Sequence, residues 1–172
     1  IERINSDLAN NLGNLVNRTI SMGIKYFNGN IRNINKLNEI DKDLINNVTE
    51  TPSLIEKYMN KLQINSSLSS IFELSRKCNK YIDETTPWIL AKESKNERLE
   101  TVLYNLIESI RFISVLLQPF MPDTSEKIFD QLNTNLTSFD SIKSFGKIEE
   151  YHLNNPCPLF ERIDKEKKLL EI

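Results

Sequence analysis

The sequence predicts an all-α fold, a bundle of about five helices with an irregular C-terminal tail and a terminal helix. Three observations predict it. Apolar residues recur by threes and fours over stretches of twenty residues or more. Four Gly and six Pro in 172 residues are too few to punctuate a many-turned β fold. Hydrophobic residues make up 39% and charged residues 27%, the balance of a globular chain long enough to bury a core.

The elements follow in order. Over residues 4–27, Leu8, Leu12, Leu15, the Thr19 methyl, Met22 and Tyr26 form one stripe, with Asn10, Asn14, Arg18, Ser21 and Lys25 opposite. This long amphipathic helix ends at Asn28-Gly29-Asn30, a glycine stop. Residues 31–41 are Asn-rich and read as a loop. A second helix starts near residues 41–43 and runs towards Lys61, with an interruption or kink expected at Pro52, since proline disfavours helix at the residue before it. Asn65 or Ser66 is expected to cap a third helix with core positions Leu68, Ile71, Phe72, Leu74, Cys78 and Ile82. Thr86-Pro87 reads as a cap followed by proline in the first turn of a short helix. Residues 96–117 carry the longest pattern, with Leu99, Val102, Leu103, Leu106, Ile110, Ile113 and Leu117 on one face. Pro119 and Pro122 break it, and a further helix spans residues 124–132. Residues 133–160 lack a helical period and read as an extended tail, and residues 162–172 as a charged terminal helix. The expected division is a bundle over 1–132, with 133–172 packing on it or on a domain outside this chain.

Composition excludes several functions. A net charge of −2 is not that of a strongly basic nucleic-acid clamp, so RNA binding would need a local patch and base contacts. One histidine, His152, no phosphate-binding glycine loop and no nucleophile–base set argue against catalysis by this stretch. No spacing suggests a metal site. Cys78 and Cys157 form neither a CxxC pair nor a disulfide ladder, no apolar run approaches a membrane span, and a cytoplasmic setting is expected.

Asn14 and Arg18 lie four residues apart and can reach one ligand. An amide that donates and accepts, beside a guanidinium fork, can satisfy the Watson–Crick edge of cytosine. Spacing alone fits more commonly a solvated face, with the arginine paired to Asp7 or a neighbouring helix. Trp88, the only tryptophan, is either a stacking platform for a base or, more commonly, a core side chain. Asp83 and Glu84 beside Tyr81 superficially suggest acid–base chemistry, but read better as helix-end charges. His152 reads as a surface or structural histidine and Cys78 as a core thiol.

Two motifs carry a resemblance. Asn5-x-Asp7-Leu8-Ala9-Asn10-x-Leu12-Gly13-Asn14-Leu15-x-x-Arg18 and Lys80-Tyr81-Ile82-Asp83-x-x-x-Pro87-Trp88-x-Leu90-Ala91-Lys92 resemble the anticodon-binding domain of methionyl-tRNA synthetases. Leu103-Tyr104-Asn105-Leu106, Leu117-x-Pro119-Phe120-Met121-Pro122 and Leu159-Phe160-x-Arg162-Ile163-Asp164 extend it in family order, with Glu161 departing where the tail motif often has proline. The resemblance implies that Asn14 and Arg18 hydrogen-bond the wobble cytosine of the CAU anticodon and that Trp88 stacks on it. Asn10, Tyr81, Asp83 and Pro87 are supporting candidates. The family's His-x-Gly-His and Lys-Met-Ser-Lys-Ser signatures are missing. The chain is therefore expected to be the anticodon-reading part of a longer class I ligase, inactive alone. The full enzyme would use ATP with Mg and methionine to charge tRNA(Met), initiator and elongator. Rival readings are the same fold in a valine, isoleucine, leucine or cysteine enzyme, and a structural adaptor bundle.

Overall fold

A computed structural model describes residues 4–160, and the expected terminal helix at 162–172 lies outside them. The chain opens with a π-helical segment, Ile4–Gly13, that passes directly into α1 (Asn14–Phe27). The single amphipathic helix expected here therefore changes winding at Gly13. Its buried stripe is Leu12, Leu15, Val16, Thr19, Ile20 and Gly23, so Val16 and Ile20 belong to the core, while Met22 and Tyr26 lie at its edge. The glycine stop is as expected: Asn28 takes a left-handed conformation (φ 53°), Gly29 follows at φ +82°, and their amides donate to the Ile24 and Gly23 carbonyls.

The stretch after α1 is not wholly loop. Asn30–Arg32 forms β1, which pairs antiparallel with β2 (Glu150–His152), Ile31 standing opposite Tyr151. α2 (Glu39–Met59) runs unbroken across Pro52, against the expected interruption. Burial of Val48, Thr51, Pro52 and Ile55, where α2 packs on its neighbours, outweighs the one backbone hydrogen bond that proline removes. The hydroxyls of Thr49 and Thr51 also fold back onto the Ile45 and Asn47 carbonyls. α3 (Ile64–Thr85) begins two or three residues earlier than expected from a cap at Asn65 or Ser66, after Gln63, which makes no side-chain cap. α4 (Pro87–Lys92) is short, and α5 (Asn96–Leu117) and α6 (Pro122–Leu132) follow.

α5 is the axis of the molecule. It packs on α1, α2, α3, α4, α6 and β1, and every residue from Leu99 to Leu117 is buried. A one-faced pattern foretold only part of this. The tail closes the remaining faces through a 3₁₀ turn (Phe139–Ile142) and β2, inserting Ile142, Tyr151 and Leu153 into the same core. Gly23 marks how closely the tail approaches: a Cβ there would stand 2.7 Å from Leu153 Cδ1.

Two buried polar clusters lock these layers. Asp41 on α2 accepts from Arg98 Nη1 at 2.6 Å and Nη2 at 2.9 Å, and from the Tyr81 hydroxyl at 2.5 Å. Asn105 donates in turn to that hydroxyl at 3.3 Å, so α2, α3 and α5 share one network. The second joins α5 to the tail. Arg111 and Glu108, both fully buried, form a two-armed pair, and Glu108 also accepts from the Tyr151 hydroxyl and from the Gly146 amide. On β1, Arg32 forks onto Glu100 of α5 at 3.0 Å through each arm.

Candidate nucleic-acid interface

The π segment and the start of α1 lie beside α3 and run in the same direction. Asp7 meets Arg76, Asn11 meets Ser75 and Asn79, and Arg18 meets Asp83. Between them runs an open notch of about 410 Å³. One wall holds Asn10, Asn11, Asn14 and Arg18, and the other holds Arg76, Asn79, Lys80 and Asp83. The notch ends where α3 stops and α4 turns away.

Arg18 is the pivot. Its Nη2 donates to Asp83 Oδ1 at 3.3 Å, and its guanidinium carbon stands 5.9 Å from the centre of the Trp88 ring. That distance is within cation–π range. Trp88 is 44% exposed, so the indole offers a face to solvent beside the guanidinium. It is held outward because α4 is anchored by its other residues: Pro87 is buried, and Leu90 and Ala91 pack on the core. The α3–α4 corner itself is tight. Thr86 has φ 45°, an unusual conformation for a β-branched residue and more so before proline. Its side chain makes no cap bond, contrary to expectation; its carbonyl accepts from the Ile89 and Leu90 amides instead.

Of the supporting candidates, Asn10 is exposed on the notch rim and Asp83 fastens Arg18. Asp83 is thus more than a helix-end charge, while Glu84 does pair along its own helix with Lys80 at 3.4 Å. Tyr81 is not brought to the notch: at 2% exposure it faces Asp41 and Asn105 in the core. Burial, then the Asp41 carboxylate beside it, pushes its hydroxyl pKa up. Cys78 is buried, which raises its thiol to about 12, an unreactive core thiol. His152 is exposed and bonded through Nδ1 to Asn30 Oδ1 at 2.8 Å. Among the described residues no His/Cys/Asp/Glu group has a metal-holding arrangement, and no helix is long and apolar enough to cross a membrane.

The notch has a floor that spacing alone did not disclose. Asn11 is buried, donates to the Phe72 carbonyl at 3.1 Å, and accepts from Ser75 at 2.9 Å and Asn79 at 3.1 Å. These amides clamp the π segment onto α3 directly beneath Asn10 and Asn14. Asn11 lies between two apolar positions of the stripe, which is the one hint of its burial.

Comparison with known proteins supplies the family. Residues 32–169 match the family described as the anticodon binding domain of methionyl tRNA ligase. Over its full length the chain is 51% identical to the methionine–tRNA ligase of Caldanaerobacter subterraneus subsp. tengcongensis and 44% identical to that of Bacillus subtilis. It spans 27% of each, so it corresponds to about a quarter of these curated relatives. The apo Mycobacterium tuberculosis methionyl-tRNA synthetase matches with a TM-score of 0.89 at 30% identity, over 94% of this chain and 34% of that one.

Proposed function

The chain belongs to the family of methionyl-tRNA ligase anticodon-binding domains, and from that premise we propose that it reads the CAU anticodon of tRNA(Met) at the Trp88 end of the α1–α3 notch. Trp88 stacks on the wobble cytosine, while Arg18 and Asn14 hydrogen-bond its Watson–Crick edge. Asp83 orients Arg18, and Asn10 extends the polar rim. Tyr81 acts only by fastening α3 to α2 and α5, and Pro87 by seating α4 at the α3–α4 corner. The observation that carries this reading is the placing of one guanidinium between a half-open indole and an orienting carboxylate. A planar donor fork beside a stacking face is what recognition of an unpaired pyrimidine requires.

The longer chain to which such a domain belongs would attach methionine to initiator and elongator tRNA in the cytoplasm. ATP, Mg and methionine would be bound by its catalytic domain, and no step of that chemistry is assigned to residues of this chain.

The test is Trp88→Ala in the full-length ligase, with binding measured to stem-loops carrying CAU and UAU. Loss of stacking should weaken CAU binding by about 1–3 kcal/mol. Equal binding of CAU by both proteins, or no preference for CAU over UAU in the parent, would overturn the assignment.

A further inference from the structure

We propose that the notch behind Arg18 is a sugar–phosphate subsite, in which Arg76 and Lys80 hold the RNA backbone next to the base seated on Trp88. The proposal rests on the anticodon reading above and deepens it. Its basis is the chemistry of the walls. Three cations, Arg18, Arg76 and Lys80, face one carboxylate, Asp83, and the remaining lining side chains are asparagines. Among the described residues no aromatic or aliphatic side chain lines the notch, so they offer nothing on which a base could stack. Cations and amides are instead the groups that contact phosphate oxygens and ribose hydroxyls. The space of about 410 Å³ is lined as far as Arg18 and Asp83 but not by Trp88, so it adjoins the indole through Arg18 and is separate from it.

Arg76 and Lys80 are four residues apart on α3, about 6 Å along the helix axis, and line the same side of the notch. Their ion pairs in the free protein are of a kind that RNA can displace. Arg76 meets Glu73 at 3.0 Å and Asp7 at 3.5 Å, and Lys80 meets Glu84 at 3.4 Å. Arg76, Glu73, Lys80 and Glu84 are each about half exposed or more, where such pairs contribute little. A phosphate can replace the exposed Glu73 and Glu84 carboxylates as the partner without stranding a buried charge, while Asp7, at 24% exposure, stays beside Arg76. With an overall charge of −2, any electrostatic contact with RNA has to be local, and it has to exchange these carboxylates for phosphate.

The experiment uses the full-length ligase and a CAU stem-loop titrated across a salt series. Arg76→Gln and Lys80→Gln should each reduce the steepness of log K against log salt by about 0.7–0.9. Each should weaken CAU and UAU loops by the same factor, about 3–10-fold at low salt, leaving their ratio unchanged. Lys57→Gln, ten residues along α2 from the Asn47–Lys77 contact, should leave the slope as it was. An unchanged slope in both notch variants, with Trp88→Ala still weakening CAU binding, overturns the subsite and leaves the base reading standing. A reduced slope with CAU binding undiminished by Trp88→Ala does the reverse. Loss of CAU preference in the notch variants would mean that Arg76 and Lys80 read the base, and would also overturn the subsite.

Discussion

At the scale of single residues, the notch depends on amides that lie beneath its polar rim. Asn11 illustrates this: it is buried, and its side chain satisfies groups on α3 from both its donor and its acceptor ends. Asn11→Ala removes the side-chain partner of the Phe72 carbonyl and of the Ser75 hydroxyl, while Asn79 keeps the Asn11 and Ser75 backbone carbonyls. The expected cost is about 2 kcal/mol, read as a lower urea midpoint with unchanged m. Asn14 and Arg18 were legible because a helix repeats every 3.6 residues and puts i and i+4 together. Asn11 was not, because periodicity says which face is buried but not that an amide there will find three partners. The same limit applies to Tyr81, placed near the base by its motif and found bonded to Asp41 in the core.

At the scale of elements, the decisive feature is the corner between α3 and α4. Thr86 holds a left-handed conformation that costs a β-branched residue of order 1–3 kcal/mol. Thr86→Asn keeps a side chain that tolerates this region, and should stabilise the fold by about 0.5–1 kcal/mol, seen as a higher Tm. The Trp88 environment, followed by its fluorescence, should stay as in the parent, because Pro87, Leu90 and Ala91 still seat α4. Helices α5 and α6 were foreseeable from their periods and the prolines between them. β1 and β2 were not, since two three-residue strands 120 residues apart leave no local periodicity. Pro52 misled for a related reason: a local penalty of one hydrogen bond was overridden by burial that only neighbouring helices create.

At the scale of the whole molecule, α5 and its two polar clusters tie helices and tail into one core. Burial by itself would raise the Asp41 carboxyl, but Arg98, the Tyr81 hydroxyl and the Asn38 amide outweigh it and hold its pKa below the usual carboxylate value. A depressed folded pKa stabilises the protein above the unfolded value near 4 and ceases to do so as pH falls through the folded one. Urea midpoints should therefore drop below about pH 4, and Asp41→Asn should flatten that acid limb while costing about 3–5 kcal/mol at neutral pH. A mutant with the parent's acid limb would locate the sensitivity elsewhere. The sequence by itself determined the helical class, the order of the long helices, the glycine stop and the residue types suited to hold a base, because these depend on contacts within a few positions. Only the tertiary structure decided that Arg18 reaches Asp83 and Trp88, that α5 is covered on every side, and that the tail closes the core. Those outcomes join residues from 30 to 120 positions apart, and no local pattern encodes such distances.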